Sequence, residues 1–401
     1  MVRQSKLSGD NHLYKERFYH MTATQNNLFN QCEKWYRDRH EYAKQWKEKT
    51  GGKILGTFCT YVPEELVYAA GILPVRILGS HEPEDVSDPH ILSMYCFFCR
   101  DCLAQGLKGR FDYLDGIVIS QSCMHIRQTY HSWRMHVPVE YSYYINMPHH
   151  VQSPRAKPYL AGELAEFKSS LEGWIGKTIT DKDLDEAIDV YNTHRGLMRQ
   201  VYELRRAENP PLTGLEAMQM VVSSQMTDKK EHTQALREIL DQLPDRKMDR
   251  DTGVRLMMVS SENDDLEFVG MVESVGATIV IDDHCTGSRY FWNDVVSNID
   301  HLQAIADRYV DRVPCPSKDW PKWTRFDHIL QLARDYNVQG VLLLQQKFCD
   351  PHEADMPPLE QFLKKNGIPS LFLELAVTMP AGQFQVRVEA FLEMLREDDL
   401  F

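Results

Sequence analysis

No stretch of this sequence approaches the ~20 consecutive apolar residues that a membrane span requires, so no membrane partner is expected. The usual nucleotide loops are missing: no Gly-x-Gly-x-x-Gly follows a strand, and there is no Gly-x₄-Gly-Lys-Ser/Thr. The Gly-x-Ser-x-Gly nucleophile elbow is absent, and the 16 histidines include no His-Glu-x-x-His. Positive charge is scarce. The formal net charge of -13 is the opposite of what a nucleic-acid surface needs, so no nucleic-acid partner is expected either. The opening residues, Met1-Val2-Arg3-Gln4-Ser5-Lys6, lead into polar sequence rather than a secretory signal. A cytoplasmic location is therefore expected, where structural disulfides are rare. Nine cysteines in that setting suggest metal ligation or packing.

What is present is ordinary globular composition, 43% hydrophobic and 26% charged over 401 residues. At roughly 100–200 residues per domain, two or three domains follow. Residues 1–50 read as an N-terminal helical segment with a helix over Asn26–Lys49. Residues 51–158 read as a first α/β domain, with strands at Lys53–Cys59, Leu73–Leu78 and Gly116–Gln121. Helices are expected at Pro63–Gly71, Tyr95–Lys108 and His125–His136. Residues 159–250 read as a helical connector, with helices over Leu160–Ile175, Asp181–Glu208 and His232–Leu243. Residues 251–401 read as a second α/β domain. Its strands are Val254–Ser260, Ala277–Ile281, Gly340–Leu344 and Ser370–Leu373. Its helices are Leu266–Val275, His301–Val310, Trp323–Tyr336, Leu359–Asn366 and Gln383–Glu397. Strands alternating with helices imply parallel sheets. The expected fold is α/β, with two flavodoxin- or Rossmann-like parallel-sheet domains.

Two cysteines occupy informative positions. Cys123 follows the apolar run from Gly116 to Ile119, and Cys349 follows the run from Gly340 to Leu344. Open α/β sheets bind ligands at the carboxyl ends of their strands, and each thiol precedes a helical pattern, whose N-terminus favours thiolate. Thiols so placed in two halves of one chain point to an iron–sulfur cluster between them; the alternative is cysteine packed in a sheet. Three thiolates on a four-iron cubane would leave one iron open as a Lewis acid. The segment Cys96-Phe97-Phe98-Cys99-Arg100-Asp101-Cys102 has ferredoxin-like spacing but lacks the following Cys-Pro. On a helix its three thiols do not all converge, so one ligand is a better reading than three, and burial as small core residues is the alternative. Cys285, within Asp282-Asp283-His284-Cys285-Thr286-Gly287-Ser288-Arg289, lies in a turn suited to an anion or to capping a helix. Cys32, Cys59 and Cys315 have no special spacing and read as structural. Glu64-Glu65 reads as a favourable acid pair in the first turn of a helix. A proton-transfer role there would need burial that raises a carboxyl pKa.

The run from Gly56 to Arg76, with Phe58-Cys59-Thr60-Tyr61-Val62-Pro63-Glu64-Glu65-Leu66 at its heart, resembles the opening signature of the 2-hydroxyacyl-CoA dehydratase D-component family. That family includes the catalytic subunits of ATP-dependent benzoyl-CoA reductase. The resemblance continues through Tyr95-Cys96, Phe111-Asp112-Tyr113-Leu114-Asp115-Gly116 and Ser122-Cys123. It resumes at Asp282–Phe291, Lys347-Phe348-Cys349-Asp350-Pro351-His352 and Ile368–Glu374, and so covers nearly everything beyond residue 50. It implies a [4Fe-4S] cluster held between the two domains by Cys96, Cys123 and Cys349. Cys99 and Cys102 depart from the family pattern. A relative holds a double-cubane cluster with further cysteines; this chain has Cys59, Cys285 and Cys315 but lacks two of that group's motifs, so a double cubane is not expected.

The resemblance also implies partners: a paralogous catalytic subunit that completes a heterodimer, an ATP-hydrolysing 4Fe-4S activator, and ferredoxin as upstream donor. The substrate is an acyl-CoA, reduced by one electron to a ketyl-type radical. Likeness around Gly106–Asp112 and Ser132-Trp133-Arg134 favours the small subunit of a class I benzoyl-CoA reductase. The alternative is a subunit of an (R)-2-hydroxyacyl-CoA dehydratase, and a third reading is a non-catalytic cluster-binding paralogue, which a fourth protein ligand would support. Glu64, Glu65, His125 and His352 are the candidate proton-transfer groups. Arg76 and Arg289 are candidates for the CoA phosphates on charge alone.

Overall fold

The structure is a computed structural model that describes residues 27–297, 300–376 and 381–398. Strands read as unbroken apolar runs need cover on both faces, and helices supply it. After the N-terminal helices α1 (Asn30–Arg37) and α2 (Arg39–Thr50) come β1 (Ile54–Phe58), α3 (Glu64–Ala69), β2 (Leu73–Arg76), α4 (Phe97–Leu107), β3 (Gly116–Ser120), α5 (Met124–His136) and β4 (Tyr141–Ile145). Four helices follow: α6 (Ala156–Ile175), α7 (Asp181–Leu204), α8 (Gly214–Ser224) and α9 (Lys229–Gln242). The second set is β5 (Val254–Ser260), α10 (Leu266–Ser274), β6 (Ala277–Asp283), α11 (His301–Asp311), α12 (Thr324–Asp335), β7 (Gly340–Gln346), α13 (Asp350–Lys365), β8 (Ser370–Leu375) and α14 (Ala381–Asp398).

The two sheets share one topology. The first runs β2-β1-β3-β4 and the second β6-β5-β7-β8, and every pairing is parallel. This is the doubly wound order whose switch point lies between the first and third strands. It is the α/β fold of two Rossmann-like units that the strand pattern predicts. Side chains alternate across each sheet. Ile117 and Ile119 join one core with Phe58 and Trp133, while Val118 faces another with Leu55 and Phe167. In the second sheet Met257 and Val259 face one core, Leu256 and Met258 the other.

The two units interlock. Residues Val295 to Val310 lie in sequence between β6 and β7, yet Ala304, Ile305, Tyr309 and Val310 pack in the core of the first sheet. The helix expected over Asn26–Lys49 breaks at Asp38 (φ -98°, ψ 22°) into α1 and α2; Asn26 itself is outside the described residues. Three elements differ further. β4 is a half-buried edge strand of Tyr141-Ser142-Tyr143-Tyr144-Ile145, too poor in aliphatics to read as a buried run. α8 follows Pro210-Pro211 and is set by a capping box from Thr213 and Glu216. α13 begins at Asp350 rather than Leu359 and passes through Pro357 and Pro358, residues that ordinarily break or kink a helix. Among the described residues no helix is long and apolar enough to cross a membrane.

Candidate functional site

Cys96, Cys123 and Cys349 each stand at the N-cap of a helix, namely α4, α5 and α13. Cys123 follows β3 and Cys349 follows β7, the third strands of their sheets, so both lie by a switch point. In each case the amide three residues on (Cys99, Ile126 and His352) points at the sulfur and favours thiolate. The three helix starts converge on one cavity of about 60 Å³, several times the roughly 10–15 Å³ that one water occupies.

A fourth thiol joins them. The Cys96 thiol lies against those of Cys349 and Cys99, and all four cysteines line the cavity. The Cys96 bond pulls Cys99 down while burial and the thiols of Cys123, Cys102 and Cys349 push it up, to about 11. Burial and Cys349 push Cys123 well above the ordinary thiol range. Thiols packed this closely keep their protons unless a cation replaces them, and a coordinating thiol is deprotonated outright. Among the described residues no three His, Cys, Asp or Glu side chains meet at a point for a single metal ion.

The same cavity is also lined by Cys59, Cys285 and Cys315. Cys59 and Cys315, which read from spacing as structural, thus lie on the same cavity as the three N-cap thiols. Cys59 is the first residue past β1, the same placement that singles out Cys123 past β3, so the strand-end criterion applied to every strand finds it. It adopts a left-handed backbone (φ 74°), as does Phe348 (φ 64°) just before Cys349. Such conformations cost of order 1–3 kcal/mol each and gather at functional sites. The Cys285 amide donates to the Ser261 carbonyl (2.7 Å) and the Cys315 amide to the Tyr61 hydroxyl (3.0 Å). Cys315 has no local signal; it arrives through the segment that crosses back to the first sheet. Cys32 packs in a core, and Cys102 is fully buried with Sγ 3.8 Å from the Ile77 carbonyl.

The predicted proton-transfer residues divide. His125 lines the cavity; its Nδ1 accepts from the Cys96 amide (3.0 Å) and its Nε2 lies 3.0 Å from Asp350. His352 also lines it, and neither ring nitrogen has a hydrogen-bond partner. Burial, with Arg325 and Arg289 nearby, holds His352 neutral. Glu64 and Glu65 lie elsewhere, on the far side of α3. Glu64 accepts from Tyr290 (2.6 Å), and Glu65 pairs with Arg195 and accepts from Tyr309 (2.9 Å). Burial alone would raise Glu65, but Arg195 and Arg308 outweigh it and the carboxyl is lowered, so it has no proton to give at neutral pH.

Arg76 and Arg289 are both 2% exposed, so neither is displayed where a CoA phosphate could dock. Arg76 pairs with Glu262, itself a cavity residue. Arg289 bonds the Ser260 carbonyl and offsets the burial that raises Cys285. Their charge serves the sulfur wall. Sequence reasoning missed Glu262 and the buried Lys318, which carry no motif.

Twin parallel sheets whose strand ends and helix starts aim thiols into one shared cavity define the class. The chain belongs to the family described as 2-hydroxyglutaryl-CoA dehydratase, D-component, which it matches over residues 59–395. It is 26% identical to the (R)-phenyllactyl-CoA dehydratase beta subunit of Clostridium sporogenes, across 92% of this chain and 98% of that protein. It is 28% identical to one of the benzoyl-CoA reductase subunits of Thauera aromatica, across 88% and 93%. It is also 28% identical to the beta subunit of (R)-2-hydroxyglutaryl-CoA dehydratase from Acidaminococcus fermentans, across 86% and 93%. These relatives are enzyme subunits.

Proposed function

We propose that this chain is the iron–sulfur subunit of a benzoyl-CoA reductase, holding a [4Fe-4S] cluster on Cys96, Cys123 and Cys349. The observation that carries the reading is the meeting of three N-cap thiols, from both halves of the chain, in one cavity. The donor set fits the group: thiolates are the ligands of such clusters, and helix N-termini favour their ionised form. When bound, the cluster supplies low-potential electrons and, at an iron left free by three-cysteine ligation, a Lewis acid. The protein residues do the rest. Phe98 and Ile126 give the cavity apolar surface, which suits an aromatic ring. His352, neutral and unpartnered beside Cys349, can pass a proton. His125 fixes the Cys96 amide and so positions the first ligand.

The catalytic partner is then a paralogous subunit in a heterodimer, with a separate ATP-hydrolysing iron–sulfur activator fed by ferredoxin, in the cytoplasm. The substrate is an acyl-CoA thioester. A second reading, a subunit of an (R)-2-hydroxyacyl-CoA dehydratase, is favoured by the similarity to two dehydratase beta subunits. On the cofactor, a second reading is a larger cluster, for which Cys59, Cys285 and Cys315 on the same cavity would be the further ligands. The Cys99 thiol favours full ligation in a non-catalytic role. The test is anaerobic purification with partners, iron and sulfide counting, and assay with benzoyl-CoA against a 2-hydroxyacyl-CoA under ATP and strong reductant. Cys123→Ala and Cys349→Ala are each expected to abolish iron loading. Full iron in either, or turnover of neither substrate, would overturn the reading.

A further inference from the structure

Charge around the cavity does not balance. Lys318 is fully buried and Arg312 is 4% exposed. Among the described residues neither has a carboxylate within ion-pair distance, whereas two other buried cations nearby do: Arg76 pairs with Glu262, and Arg289 with Asp283. Lys318 Nζ donates to the Pro148 carbonyl (2.9 Å) and lies 5.2 Å from the centre of the Tyr61 ring. The guanidinium of Arg312 lies 4.6 Å from the same ring and bonds the Thr60 and Arg289 carbonyls. The adjacent Asp319 is committed elsewhere, accepting from Thr324, Arg325 and Gln152. Lys318 stands beside the cavity's cysteines: its amide donates to the Cys315 carbonyl (2.8 Å), and Cys315, Cys59 and Cys123 oppose the lowering that its burial causes.

Burying a cation without a counter-charge is costly, and Lys318, so buried beside a cavity lined by cysteines, points to an anion inside it. Resting on the cluster reading above, we propose that Lys318, with Arg312 across the Tyr61 ring, supplies the counter-charge of the cavity's thiolate-bound cluster and stabilises its reduced form. Lys318 is a positioning residue in this sense: it acts on the cluster's charge and touches no substrate. A positive charge next to a cluster favours the added electron by Coulomb attraction. The same charge opposes folding when the cavity holds only neutral thiols. Lys318 therefore has opposite effects in the two states, and a merely structural lysine would not.

The experiment uses the full chain with its partner subunit, prepared anaerobically, as wild type, Lys318→Met and Lys318→Arg. Thermal midpoints are measured before and after reconstitution with iron and sulfide. The reduction potential is then read by EPR-monitored titration. Lys318→Met is expected to raise the midpoint of the metal-free protein and to remove that gain once the cluster is loaded. It should also lower the equilibrium constant for reduction at least tenfold, which for one electron is about 59 mV to the negative. Lys318→Arg should restore the wild-type potential. A loaded wild type whose potential matches that of Lys318→Met would overturn this inference and leave the cluster reading standing. A wild type that takes up no iron would overturn both.

Discussion

His232 is fully buried, its Nδ1 3.1 Å from His194 Nε2 and its Nε2 3.1 Å from Ser223 Oγ. Burial, with Lys229 nearby, pushes His232 down to about 3 and His194 well below its usual range. In the unfolded chain both titrate near 6.5. Their folded pKa values are depressed, so the unfolded chain binds more protons below that point. The stability is complete above about pH 6.5 and is lost as pH falls toward 3. The loss is up to about 1.4 kcal/mol per pH unit for each histidine. Urea midpoints at pH 7.5 and 5.5 should fall together more steeply in wild type than in His232→Gln. Equal pH dependence in the two proteins would show that the imidazole is not the source. Legibility at this scale is uneven. Cys123 and Cys349 are recognisable because a thiol after an apolar run has one place to point. Cys315 and Lys318 are not, since their partners come from distant segments.

The element that fixes the cavity's shape is the contact of α4 on α5. Gly106 permits it: a Cβ there would lie 2.6 Å from the Trp133 ring, and Trp133 is fully buried. Gly106→Ala should overpack this seam, with a cost of about 1–3 kcal/mol, despite the better helix propensity of alanine. Because Cys96 heads α4 and Cys123 heads α5, parting the helices should also reduce iron retention. Thermal midpoint and iron per chain measure both effects; a variant unchanged in each would mean the seam can yield. Elements with strong periodicity or continuous apolar runs, such as β5 and α7, are legible in the sequence. β4 is not, because tyrosines on a half-covered edge carry no alternation. α8 carried a usable signal in Thr213-x-x-Glu216, a capping-box pattern, that hydrophobic period alone does not register.

At the scale of the whole molecule, the crossing of α11 onto the first sheet's core makes the two α/β units one folding body. Glu65 on α3 is tied to Arg195 on α7 and to Tyr309 on α11. Calorimetry of the metal-free chain should therefore give one cooperative transition, and two resolved transitions would separate the units. Arg195→Met leaves Glu65 fully buried without its partner, a loss of about 3–5 kcal/mol. It should lower that single midpoint rather than split it. A midpoint within error of wild type would show that Glu65 finds another counter-charge. The sequence by itself determined the parallel strands, most helices and the thiols at two strand ends. These depend on residues a few positions apart, where periodicity and end signals act. Only the tertiary structure decided which thiols share a cavity, that Arg76 and Arg289 are buried behind it, and that two cations stand there without carboxylates. Those facts depend on segments more than a hundred residues apart in the chain, and burial and charge balance have no meaning until those segments meet.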